Sequence, residues 1–137
     1  KMKRLFEETR TIAVVGIKDG PLDDAYRVPE YMRDQGYTII PVNPKITQVL
    51  GIKAHSSLGE IPSELFPIDV VNLFRASEHL PAHVEEILSL SPRPNAVWTQ
   101  LGIHDGPSAK RLRAAGIEVI QDRCIMVDHL RLLAPNE

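Results

Sequence analysis

Five short apolar runs rich in β-branched residues punctuate the chain, and helical periodicities separate most of them. They occupy residues 11–16 (TIAVVG), 37–42 (YTIIPV), 68–74 (IDVVNLF), 96–98 and 117–120. Each is mostly apolar rather than strictly alternating, the pattern of a strand buried on both faces of a parallel sheet. Val28, Tyr31, Met32 and Gln35 keep helical spacing up to a glycine stop at Gly36, and Pro29 lets that helix start only a few residues earlier. Leu80, Val84, Ile87 and Leu88 mark a second helix, ended by Ser91-Pro92. A third runs from Pro107 through Ala109 and Leu112 to Gly116. Met2, Leu5 and Phe6 predict a short opening helix, and Ile125, Met126, His129, Leu130 and Leu133 a closing one. Pro41 must lie at the end or edge of its strand, because it has no N–H for a ladder. Residues 43–67 carry no long period beyond one helical turn at 57–61. The expected fold is α/β: a Rossmann-like parallel sheet of about five strands with helices on both faces and right-handed crossovers.

Length and charge narrow the function. A chain of 137 residues is expected to form a single domain over 1–137, large enough to bury its own core. Sixteen basic against 18 acidic residues leave no charge excess to drive nucleic-acid or membrane-surface binding. No apolar stretch approaches the roughly 20 residues of a membrane helix. The opening KMKRLFEE lacks the apolar region of a signal peptide, and one cysteine excludes an internal disulfide and suits a reducing compartment. A cytoplasmic location is expected.

Ligands of open parallel sheets bind beyond the carboxyl ends of the strands. The candidate segments are therefore 16–19, 43–45, 74–75, 99–102 and 122–124, and four of the five carry a basic residue. The first leads to a helix N-terminus, whose free N–H groups favour phosphate. It lacks the full G-x-G-x-x-G fingerprint, so a tight turn without ligand is the plain alternative. After the second strand an NAD site offers an acidic residue to the ribose; here Lys45 stands instead, which suits a phosphorylated ribose such as that of NADP or coenzyme A. A solvated loop lysine is the alternative. Arg75 emerges directly from an apolar strand, as an anion ligand or a surface ion pair. Arg27, at a helix start, opposes the helix dipole unless an anion is near.

The ordered blocks VVG-I-K, YRV, GY-x-I-I-PVNPK, DVVNLFR, VW-x-QLGI and DRC resemble the stand-alone CoA-binding protein family. That family is similar to the CoA-binding N-terminal domain of the succinyl-CoA synthetase alpha subunit. The resemblance implies that Gly16, Ile17 and Lys18 meet the pyrophosphate of coenzyme A, with Arg27 assisting. It implies that Asn43, Pro44 and Lys45 line the adenosine end, Lys45 reaching a phosphate, and that Phe74, Arg75 and Gln100 border the cofactor. Ala25 stands where relatives often carry serine, which removes one hydroxyl from the phosphate side. The function so implied is binding of CoA or an acyl-CoA without evident catalysis, since a chain of this length has no room for the synthetase's phosphohistidine domain. An NADP-dependent oxidoreductase fragment and an acyl-CoA-sensing regulatory protein are the alternatives, and the sequence names no protein partner.

Other constellations carry less. His79 and His83 have i, i+4 spacing, but no H-E-x-x-H context accompanies them, and they read as exposed helix-start histidines rather than metal ligands. No serine has a G-x-S-x-G context, and Glu85-Glu86 reads as a solvated face. Cys124 follows Arg123 near a helix start, two features that favour thiolate, against a partly buried inert thiol as the alternative.

Overall fold

The computed structural model describes residues 1–133. In chain order the elements are α1 (Met2–Glu8), β1 (Thr11–Val15), α2 (Asp24–Asp34), β2 (Thr38–Val42), a hairpin of β3 (Gln48–Val49) and β4 (Ile52–Lys53), β5 (Val70–Leu73), α3 (Leu80–Leu88), β6 (Ala96–Thr99), α4 (Gly106–Ala114), β7 (Glu118–Ile120) and α5 (Ile125–Leu132). All five apolar runs are strands of one parallel sheet, ordered β2-β1-β5-β6-β7. The α/β, Rossmann-like expectation holds. No described helix is long and apolar enough to cross a membrane.

Period-2 side-chain alternation divides the sheet between two cores. Ala13, Val15, Ile40, Val71 and Val97 face one side, against Leu80 and Val84 of α3 and Leu112 of α4. Ile12, Val14, Ile39, Val70 and Trp98 face the other, against Phe6 of α1, Met32 of α2 and Ile125 of α5. Each such aliphatic side chain contributes roughly 1.5–3 kcal/mol on burial, so the strands are held by packing on both faces.

Pro41 sits in an edge strand, and its placement has a visible reason. Its carbonyl accepts the His55 N–H at 2.9 Å on the outer side. A strand residue directs N–H and C=O to the same side, so the missing donor falls on the rim and not on the ladder with β1. Residues 43–67 contain the expected turn as a 3-10 helix, Leu58–Glu60, and two features that periodicity does not reveal: the hairpin and a second 3-10 turn, Ser63–Leu65. The hairpin turns through Leu50 and Gly51, both with positive φ (56° and 72°). Two-residue hairpins need that geometry, and leucine rarely adopts it, which hides the turn from sequence.

α5 docks through His129, whose ring lies edge-on to Phe6, Tyr31 and Tyr37 at centroid distances of 5.2, 5.5 and 5.6 Å. Its Nδ1 shares a 2.8 Å hydrogen bond with the Tyr31 hydroxyl. Burial holds the imidazole below its ordinary pKa and pushes the Tyr37 phenol up to about 12. The folded state thus keeps His129 neutral while the unfolded chain takes a proton near 6.5. Where the unfolded state binds more protons, stability rises with pH. The contribution is complete above about 6.5 and is lost as pH falls through the lower folded-state value. Urea midpoints should therefore drop between pH 7.5 and 5, and His129→Gln should remove part of that slope; an unchanged slope in the variant would disprove the assignment.

Candidate functional site

From β1 the chain steps outward to β2 and then returns across β1 to β5, so the order of connection reverses between β1 and β5. In sheets of this kind a crevice opens at that point beyond the carboxyl ends. The ladder continues one step past each strand there. Gly16 N–H donates to Val42 O (2.9 Å), Phe74 N–H to Val15 O (2.8 Å), Gln100 N–H to Leu73 O (3.2 Å) and Arg123 N–H to Thr99 O (3.3 Å). The first three bonds fix the first loop residue after β1, β5 and β6, and the fourth ties Arg123, three residues past β7, to the end of β6.

Gly16 has φ +87°, and a Cβ there would collide with the Phe74 carbonyl oxygen and sit 3.1 Å from Arg75 Cδ. Only glycine lets the two chain ends approach so closely. Above this seam opens a cleft of about 470 Å³. Its cations are Lys18 and Arg75; Val28, Phe74, Ile103 and Met126 supply apolar walls, and Gln100 and Cys124 also line it. Of the residues singled out from sequence, the cleft therefore gathers Lys18, Phe74, Arg75, Gln100 and Cys124. Gly16 lies beneath it, and Ile17 is fully buried, offering a ligand its backbone alone. Asn43 Nδ2 donates to Ile17 O at 2.7 Å and its Oδ1 accepts the Lys45 N–H at 2.8 Å, which ties the turn after β2 to the turn after β1. Pro44 and Lys45 are exposed beside that link, outside the cleft wall.

The start of α2 differs from a bare phosphate cradle. Asp23 caps it, accepting the Ala25 N–H at 3.1 Å, and lies 3.7 Å from Lys18 Nζ. Arg27 is exposed and pairs with Asp24 at 2.5 Å, so a neighbouring carboxylate relieves the conflict with the helix dipole that sequence suggested an anion would relieve. Neither exposed pair contributes much stability. Arg75 finds a different partner: its Nε–H donates to His83 Nε2 at 3.3 Å, and His83 Nδ1 meets Glu86 Oε1 at 2.8 Å. His83 is thus half-buried and engaged, against the expectation of an exposed ring, and Glu86 belongs to the same chain of contacts. At the far side the Arg123 guanidinium makes two bonds to Asp128, at 2.7 and 2.8 Å. Those bonds hold the buried Asp128 carboxyl below its ordinary range despite the opposing effect of burial. Cys124 is half-buried at the start of α5. Sequence reasoning missed Val28, Ile103 and Met126, which look like ordinary core residues; only the topology turns them into walls.

Residues 10–130 match the model of the CoA binding domain family. The chain belongs to that family. It is 43% identical over 129 residues to the uncharacterized protein YneT of Bacillus subtilis, covering 94% of this chain and 92% of that protein. Over 61 residues, 44% of this chain, it is 38% identical to the alpha subunit of the ADP-forming acetate–CoA ligase II of Pyrococcus furiosus, spanning 13% of that subunit. The solved structure of cell-free ID.343 from Thermus thermophilus superposes with a TM-score of 0.89 at 38% identity over 96% of both chains. In this CoA-binding-domain chain the tight seam at Gly16 is open to test. Gly16→Ala should lower stability by more than about 1 kcal/mol. It should cost more than Gly36→Ala, where φ is also positive (104°) but nothing lies within 4 Å of an added Cβ. Equal losses in thermal melts would remove the close approach as a cause.

Proposed function

We propose that this cleft binds coenzyme A or an acyl-CoA. The observation that carries the reading is an open crevice at the β1/β5 reversal, with two cations and apolar walls, in a chain that belongs to the CoA binding domain family. A cofactor with an anionic nucleotide end and a long, largely apolar arm suits that mixture. In this reading the pyrophosphate lies over the turn of Gly16, Ile17 and Lys18, with Arg27 alongside. The adenosine end lies against Asn43 and Pro44, where Lys45 meets the phosphate on the ribose. The arm passes Phe74 and Arg75 and enters the cleft towards Gln100. Binding is proposed and no reaction.

Lys18 and Arg75 carry the anion preference, since Asp23 and Asp24 already occupy the α2 start. A ligand at a hundred times its dissociation constant stabilises the native state by about 2.7 kcal/mol. For a domain of this size that is about 5–15 °C in melting midpoint. CoA should produce such a shift, dephospho-CoA a smaller one and NAD little. Lys45→Ala should narrow the gap between CoA and dephospho-CoA, because a charge-assisted contact is worth roughly 1.5–3 kcal/mol. Lys18→Ala and Arg75→Ala should weaken both ligands. A large shift with NADP and none with CoA overturns the reading in favour of a dinucleotide site.

A further inference from the structure

Asn72 is a polar side chain in the middle of an apolar strand, 1% exposed. Its Nδ2 donates to two acceptors at 3.2 Å each, the Trp98 carbonyl oxygen and Gln100 Oε1. The Ile125 backbone N–H donates to the same Oε1, also at 3.2 Å. Backbone groups have only one sense: the Trp98 carbonyl can only accept and the Ile125 N–H can only donate. They therefore fix both amides, and neither side chain can be turned over without setting donor against donor or acceptor against acceptor. With Oε1 turned inward, the Nε2 group of Gln100 faces the other way.

Gln100 is 6% exposed and lines the cleft. Among the described residues, Gln100 Nε2 has no protein acceptor, yet no fully buried side-chain nitrogen or oxygen lacks a partner. This N–H group is therefore not sealed in the core, and the surface that Gln100 borders is the cleft. A largely buried donor gains most from an acceptor that arrives with apolar flanks, because leaving it unmatched costs about as much as a lost hydrogen bond. Phe74 and Met126 line the same cleft. The matching chemistry is a carbonyl oxygen set in an apolar chain.

We propose that Asn72 is a positioning residue that holds Gln100 with its N–H group turned into the cleft, where it donates to a carbonyl of the ligand's arm. This deepens the reading of the cleft as a CoA site and rests on it. The carbonyl belongs to an amide of the pantetheine arm or to the thioester of an acyl-CoA, and the same group recognises either.

The test is calorimetric titration of the intact protein with CoA, acetyl-CoA and adenosine 3′,5′-bisphosphate, which lacks the arm. Gln100→Glu keeps an oxygen for Asn72 and for the Ile125 N–H but presents an acceptor to the ligand. Affinity for acetyl-CoA should fall at least about tenfold, equivalent to 1.4 kcal/mol, while affinity for the bisphosphate stays unchanged. A parallel loss with CoA assigns the amide carbonyl, and a loss confined to acetyl-CoA assigns the thioester. Asn72→Leu, in samples whose thermal melt shows a folded protein, should reproduce the arm-selective loss in weaker form. Equal losses for all three ligands in Gln100→Glu, or none, overturn the inference and leave the CoA reading standing. Failure of the wild-type protein to bind any of the three overturns both.

Discussion

At Gly16 the chain leaves β1 with φ +87°, and the carbonyl of Phe74, just past β5, lies where a side chain would begin. The two strand ends can stand this close only while position 16 lacks a Cβ. The rest of the carboxyl edge depends on that contact. It sets where Lys18 and Arg75 emerge, and it keeps the crevice floor closed while the loops above diverge. The four hydrogen bonds that extend the ladder past β2, β1, β5 and β6 then hold the floor level, one residue after another. Packing on both faces supplies the free energy, and the backbone at one glycine supplies the geometry.

The polar groups buried along this edge are satisfied by backbone more than by each other. Trp98 Nε1 donates to Arg123 O at 2.7 Å, and Thr99 Oγ1 donates to Ile103 O and accepts the Asp122 N–H. Asn72 and Gln100 continue the same pattern towards the core. Each unmatched buried group would cost about 1–3 kcal/mol, so the network is specified tightly wherever it is complete. The cleft is where it stops. The cations there are held loosely by comparison: Lys18 lies 3.7 Å from Asp23 with both side chains exposed, and Arg75 rests on a histidine. A hydrogen-bonded floor with exposed charges at its mouth is a workable arrangement for a ligand with one anionic end and one apolar arm.

Much of the fold was legible because a parallel sheet buried on both faces has to be written as continuous apolar runs. The five runs became β1, β2, β5, β6 and β7, and Pro41 announced an edge. The β3–β4 hairpin was illegible, because Leu50 takes a backbone conformation that its side chain disfavours. For the candidate site, the strand ends pointed to residues that the fold brings to one cleft, among them Lys18, Phe74, Arg75 and Gln100. They could not show that Asp24 would neutralise Arg27, since helix-start charges pair through side-chain rotamers that spacing does not determine. Asn72 was the overlooked signal. A lone amide in the run DVVNLF has to be matched inside the protein, and asking by what leads to Gln100.

The most direct test of the account is a chemical-shift map of the backbone amides during titration with CoA. The account predicts saturable shifts at residues 16–18, 43–45, 74–76 and 100–103, with little change at the opposite edge of the sheet around Thr11, Asp69 and Glu118. Saturable shifts centred on that opposite edge, or none at concentrations well above a millimolar, would contradict it.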